Sequence, residues 1–158
     1  MKKEKLYGIL FYIFTAEGIG ALSALIAGNF SDFFLKYEKP PLLPPGWLFP
    51  VVWTALYAIM GYSAYLISRA DAPKDVKKNA LTVYWLQLAV FNFLWSILFF
   101  RFELLWVGFI DILLLLVSAC VMTVMFGRIL PKAGWLNIPY IIWVAFATYL
   151  NLATAIIN

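Results

Sequence analysis

Residues 40–65 read PPLLPPGWLFPVVWTALYAIMGYSAY, and this stretch decides the fold. It opens on two prolines, passes a second Pro-Pro-Gly turn, and enters an aromatic-rich apolar run without a charge. Proline lacks a backbone donor and fixes φ, so residues 40–46 are expected to form a stiff extended segment that cannot be helical. Gly46 and Trp47 then open a helix long enough to cross a bilayer. Pro50 falls in its first turn, where a missing N–H costs little. A rigid lid hinged to a tryptophan-bearing membrane helix suits the holding of a flat apolar ligand.

Working outward, composition sets the solvent. The chain of 158 residues is 65% hydrophobic, 19% aromatic and 13% charged. A soluble domain carries about a quarter charged residues and about half apolar ones. This is the composition of an integral membrane protein. Its backbone polar groups must be satisfied internally, which leaves helices or a closed barrel. Barrel strands need only about ten residues of alternating pattern, and these apolar runs are far longer, so an all-α bundle is expected. The single cysteine, Cys120, makes no intramolecular disulfide. The chain has no histidine, which removes His-based metal sites, His general bases and His-ligated haem. The net charge of +4 does not imply nucleic acid, because the basic residues lie at the ends of apolar runs.

Five spans are predicted, over about residues 6–28, 47–68, 80–100, 104–126 and 135–157, all in one domain covering 1–158. The first has an alternative reading as a cleaved signal peptide, because Ala21-Leu22-Ser23-Ala24 resembles a cleavage site. Glu17 interrupts that reading, and the run is long enough to span. Ala16, Gly20, Ala24 and Gly28 recur every four residues, a small-residue stripe that admits another helix within the bundle or in a dimer. Residues 29–46 form a first loop with a proline-rich lid, 69–79 a charged loop, 101–103 a tight turn, and 127–134 a second polar hairpin. The side of the amino terminus holds Lys2, Lys3, Lys5, Arg69, Lys74, Lys77, Lys78, Arg128 and Lys132, against Lys36, Lys39 and Arg101 opposite. This bias predicts a cytoplasmic amino terminus and an external carboxyl terminus in the cytoplasmic membrane.

Two acids, Glu17 and Asp111, fall within spans. An ionised carboxylate in hydrocarbon costs at least about 2.5–3.5 kcal/mol, so each should face the bundle interior or a wet cavity. One reading is a proton relay or counter-ion; the other is a neutral, hydrogen-bonded acid. The uncharged polar positions say more. Pro50, Trp53, Tyr57, Gly61 and Ala64 share one face of the second span. Trp85, Ala89, Asn92 and Ser96 share one of the third, with Trp95 close by. Pro139, Trp143, Ala147, Asn151 and Ala155 recur on the fifth. Large and small side chains with a few carboxamides make a concave site, or else pack helices with asparagine as glue. Trp47, Trp85, Trp106 and Trp135 lie near span ends, as an aromatic belt requires, whereas Trp53, Trp95 and Trp143 lie deeper. Deep indoles offer flat polarisable surface and one N–H each.

The motifs KPPLLPPGWLFPVVWTALYAIMGYSAY, FNFLWSILFF, DILLLL and IPYIIWVAFATYLN, in this order and spacing, resemble the TspO/MBR family of tryptophan-rich sensory and translocator proteins, also called peripheral-type benzodiazepine receptors. The resemblance covers nearly the whole chain. It implies a five-helix bundle, commonly a homodimer, that binds tetrapyrroles such as protoporphyrin IX. It further implies binding of isoquinoline carboxamide and benzodiazepine drugs, and of cholesterol in animal members. Carried over by motif, the ligand site comprises Trp53, Asn92, Trp95, Trp143, Ala147 and Asn151. Tyr57 lies on the same face as Trp53. Pro44 and Pro45 belong to the lid, and Phe34 stands in place of the tyrosine of a Trp-Tyr pair.

Three departures matter. Leu42 replaces a tryptophan of the proline-rich stretch, Phe33-Phe34 replace the Trp-Tyr pair, and LATAIIN after Asn151 lacks the aromatic and arginine of the proposed sterol motif. The last argues against cholesterol. The expected function is a tetrapyrrole-binding membrane receptor or sensor that regulates a porphyrin or stress response, with no obligatory cofactor. Alternatives are a transporter of porphyrins or other lipophiles, and a light-dependent porphyrin-degrading enzyme. No conventional catalytic constellation is present.

Overall fold

Hydrocarbon leaves an unpaired peptide group no partner, and the long apolar runs of this chain all fold as helix. The computed structural model describes residues 2–28 and 30–158. Met1 and Asn29, at the basic tip and at the start of the expected first loop, lie outside the described residues, as do the side chains of Lys2, Phe30 and Ser31. The first span is α1 (Lys2–Ala27), followed by the short α2 (Phe30–Lys36). The second is α3 (Leu48–Arg69). The third comprises α4 (Lys74–Leu86), a π-helical turn (Gln87–Asn92), α5 (Phe93–Ser96) and a second π-helical turn (Ile97–Arg101). The fourth is α6 (Leu105–Ile129), and the fifth joins α7 (Pro131–Leu136) to α8 (Ile138–Ile157). The protein is an all-α, multi-pass integral membrane protein.

The spans close into a ring. α1 packs on α3 and on the C-terminal half of the third span; the third span packs on α6; α6 packs on α8; and α7 and α8 return to α3. Buried apolar side chains such as Met60, Leu88, Ile112, Met122 and Val144 fill the middle. Trp47, Trp106 and Trp135 are exposed near span ends, as an aromatic belt requires. Trp85 is not: it is half-buried and stacks on Tyr12 of α1, with ring centroids 6.1 Å apart.

Four local expectations are corrected. The third span begins at Lys74 rather than near residue 80, because Pro73 ends the preceding loop and the lysines continue the helix. The hairpin expected over 127–134 shrinks to Leu130, the extended residue between α6 and α7. The turn is this tight because Gly127 and Gly134 meet backbone to backbone, and a Cβ on Gly134 would lie 2.7 Å from the Gly127 Cα. The first loop is not free of regular structure: it holds α2, whose Phe33 and Phe34 are buried in the bundle. Residues 40–46 are non-helical as expected, but not uniformly extended: Leu42 adopts φ 65° and turns the chain between the two proline pairs.

The small-residue stripe of α1 serves the bundle. Ala16 is fully buried, and the Tyr57 ring of α3 fills the space a side chain on Gly20 would need. The same pair of helices meets most closely at Gly61, where a Cβ would lie 2.7 Å from the Tyr12 carbonyl oxygen and 2.9 Å from the Ile13 Cα.

The first loop is tied through three consecutive residues. Lys36 and Tyr37 both donate to Oε2 of Glu103, in the turn between the third and fourth spans. The Asn158 side chain accepts from the Glu38 amide at 2.8 Å and donates to its carbonyl oxygen. The Lys36 ammonium, and then the Tyr37 hydroxyl, hold the Glu103 carboxyl below the ordinary carboxylate range. A lowered folded-state value stabilises the tie at pH above the ordinary range, and the stabilisation is lost as pH falls through the lowered one.

Two outcomes follow. Gly61→Ala has no flexible neighbour to displace, so it should lose about 1–3 kcal/mol in denaturant unfolding from mixed micelles, whereas Gly18→Ala, which meets nothing within 4 Å, should be close to neutral. A spin label on Leu42→Cys, in a Cys120→Ser background, should be restrained at neutral pH and become mobile as pH drops below the ordinary carboxylate range. With Glu103→Gln the label should be mobile throughout; unchanged spectra would show that the tie does not hold the loop.

Candidate functional site

A cleft of about 370 Å³ opens between α1, the start of α3 and the irregular part of the third span. It exists because the end of α1 presents Ala24 and Ala27, followed by Gly28, where larger side chains would fill the space. Opposite them stand Trp53 and Tyr57 of α3, and Asn92, Trp95, Ser96 and Phe100 of the third span. Gly28, Gly46 and Pro50 are exposed and mark the rim. The volume falls within the roughly 300–1,000 Å³ of small-molecule sites, and the lining is mainly aromatic with a few polar groups.

The aromatic wall is ordered. The Trp53 and Tyr57 rings stack at 5.4 Å, and Trp53 lies 6.0 Å from Trp95 at an interplanar angle of 38°. Trp95 in turn stacks on Phe99. The two π-helical turns flank α5, which carries Trp95 and Ser96. Such turns widen the helix locally and recur at functional sites. Ser96 and Ser23 share a hydrogen bond, and Ser23 also donates to the Phe93 carbonyl, joining α1 to the third span beside the cleft.

Below the cleft the polar groups form a chain. Tyr57 donates to Asn92 Oδ1 at 3.0 Å, Asn92 Nδ2 donates to the Tyr140 hydroxyl at 2.9 Å, and Tyr140 donates to Gln87 Oε1 at 2.7 Å. Gln87 Nε2 ends the chain on the Met60 sulfur. Asn92 thereby links the second, third and fifth spans. Asn151 does the same elsewhere: its Oδ1 accepts from Trp95 Nε1 at 3.0 Å and its Nδ2 donates to the Leu105 carbonyl at 3.1 Å.

The residues expected at the ligand site therefore divide. Trp53, Tyr57, Asn92 and Trp95 line the cleft. Phe34, Ala147 and Asn151 gather instead around a much smaller void of about 10 Å³, which shares Phe49, Trp95 and Phe100 with the cleft. Those three aromatics are the partition between the two spaces. Trp143 lies behind it, with its ring 5.7 Å from Phe49 and a buried Nε1 that has no acceptor. Pro44 is half-buried and Pro45 exposed; Leu43 and Gly46 are the loop residues that reach the two spaces. Neither Glu17 nor Asp111 lines the cleft.

Sequence reading missed Phe49, Phe100, Gln87 and Tyr140. An uncharged amide within an apolar run was signal enough for Gln87. Nothing in the pattern distinguished Phe49 and Phe100 from the other phenylalanines.

The chain matches the TspO/MBR family over residues 11–157. It is 35% identical over 149 residues to the tryptophan-rich protein TspO of Archaeoglobus fulgidus, covering 90% of this chain and 95% of that one. It is 33% identical over 130 residues to the human translocator protein, covering 82% and 76%. It is 30% identical over 127 residues to the tryptophan-rich sensory protein of Cereibacter sphaeroides, covering 80% and 75%. By its membrane helices, its motifs and this match along nearly all its length, the chain belongs to the TspO/MBR family.

Proposed function

We propose that this protein is a membrane receptor that binds a tetrapyrrole such as protoporphyrin IX in the cleft between α1, α3 and the third span, and that occupancy regulates a porphyrin or stress response. The observation that carries the reading is the pair Trp53 and Trp95, two indoles 6.0 Å apart on one wall of an otherwise apolar cleft. A planar conjugated ring gains dispersion and stacking against such a wall, worth about 0.5–1.5 kcal/mol per ring beyond area burial. The small residues opposite, Ala24 and Gly28, let the flat face lie close. With no histidine in the chain, no imidazole is available as an axial ligand, and metal-free porphyrin is favoured. The basic bias of the amino-terminal side supports the orientation with that side in the cytoplasm. A homodimer, implied by the family resemblance, belongs to the same proposal; its interface is not the Gly20 face, which Tyr57 occupies.

A light-dependent breakdown of bound porphyrin is the second reading, favoured by the same two indoles at the cleft. Transport is a further reading, although neither intramembrane acid, Glu17 or Asp111, is among the residues that line the cleft.

Titration of protein in lipid nanodiscs with protoporphyrin IX should quench intrinsic fluorescence saturably. Trp53→Leu with Trp95→Leu should weaken binding by about tenfold or more, from the loss of two stacking partners. Ala24→Phe, which fills the cleft from α1, should abolish it while leaving the helical spectrum intact. Trp143→Leu, behind the partition, should change affinity by less than about threefold. Equal affinities in all four proteins would move the ligand out of the cleft. Illumination of the loaded protein separates the second reading: a new absorbing product that forms with Trp53 intact and not in Trp53→Phe would favour an enzyme.

A further inference from the structure

A second cavity lies at the strongly basic end of the bundle, away from the aromatic cleft. Ser68 of α3 and Lys74, Lys77, Lys78, Thr82 and Trp85 of α4 line it, with a volume of about 410 Å³. Three lysine side chains thus line one space. Among the described residues, Lys74 and Lys78 make no ion pair, and Lys77 donates only to the Ala70 carbonyl. The two acids nearby in sequence, Asp71 and Asp75, do not line the cavity. The lysines stand in the first two turns of α4, where unpaired amides and the helix dipole add further positive potential.

The polarity is graded along one helical stripe. Lys74, Lys78, Leu81 or Thr82, and Trp85 follow steps of three and four residues, so they share a face of α4. The lysines lie at the helix start, Leu81 and Thr82 one to two turns on, and the half-buried Trp85 furthest along, with Ser68 supplied from the end of α3. Both hydroxyls already donate, Ser68 to the Tyr65 carbonyl and Thr82 to the Lys78 carbonyl, so their oxygens are left to accept. A phosphate needs the ammoniums; a neighbouring alcohol would donate to the hydroxyl oxygens; an acyl chain would lie on Leu81 and Trp85. A headgroup carrying its own cation would meet three like charges.

We propose that this cavity binds the headgroup of an anionic glycerophospholipid, a phosphodiester bearing a hydroxylated substituent, with its acyl chain laid along Leu81 and Trp85. Phosphate charge alone would also be supplied by free phosphate, but the apolar lower half of the stripe commits the site to a lipid. Basic pockets between membrane helices recognise lipid headgroups through this combination of charge and apolar wall.

The test uses the whole protein, in detergent with added phosphatidylglycerol or phosphatidylcholine, read by native mass spectrometry. Phosphatidylglycerol should be retained as a single tight adduct and phosphatidylcholine should not. Lys74→Gln, Lys77→Gln and Lys78→Gln together should lower that affinity, by about fivefold per lysine removed. A control set with the same charge change at the same end, Lys5→Gln, Arg128→Gln and Lys132→Gln, should leave it within twofold. Leu81→Ser should weaken the lipid adduct with the lysines intact. Retained binding of protoporphyrin IX or an unchanged helical spectrum establishes that each variant is folded. Equal losses in the two charge sets would reduce the effect to general surface attraction and overturn the site. Full competition by millimolar inorganic phosphate, with no effect of Leu81→Ser, would overturn the lipid in favour of free phosphate.

Discussion

The carboxamide of Asn92 holds this structure in its working form. In hydrocarbon a polar side chain without a partner is costly, so a buried asparagine must find donors and acceptors on neighbouring helices. Asn92 finds Tyr57 on the second span and Tyr140 on the fifth. That pins three spans at one level and fixes the Tyr57 ring, on which Trp53 then stacks. The wall of the cleft is thus set by a hydrogen bond beneath it. Asn151 repeats the device for the third, fourth and fifth spans, and it fixes Trp95 through the indole N–H.

The cleft itself results from an imbalance of side-chain size. α1 supplies glycine and alanine where the helices opposite supply indole, phenol and phenyl groups. Small residues usually let helices close up, as at Gly61 against Tyr12. Near Ala24 they do so only in part, because Ser23 is held to Ser96 and to the Phe93 carbonyl while the large rings cannot enter further. One stripe therefore packs tightly at Ala16 and Gly20 and leaves space from Ala24 onward.

The first loop is positioned by side chains from distant parts of the chain. Glu103 receives Lys36 and Tyr37, Asn158 clamps Glu38, and Tyr149 donates to the Pro41 carbonyl. Surface ion pairs contribute little alone. Their number here, and the turn imposed by Leu42, place Leu43 and Gly46 against the two internal spaces.

The chain's order of apolar runs determined by itself that this is a five-span helical membrane protein, because hydrocarbon admits no other backbone solution for runs of that length. Its motifs also pointed to Trp53, Asn92 and Trp95, since deep indoles and amides in a span are rarely accidental. The three-residue and four-residue steps carried no information about which face meets which neighbour. That is why, of Trp53 and Trp143, equivalent by pattern, Trp53 lines the cleft and Trp143 does not, and why the stripe of α1 proved to be both packing surface and cavity floor. The hydrogen bonds that carry Asn92 to Tyr57 and Tyr140, and the placing of Ser68 of α3 beside the lysines of α4, join elements apart in sequence. Tertiary structure alone decided them, because a helix's own periodicity fixes which residues share a face and leaves open what that face will touch.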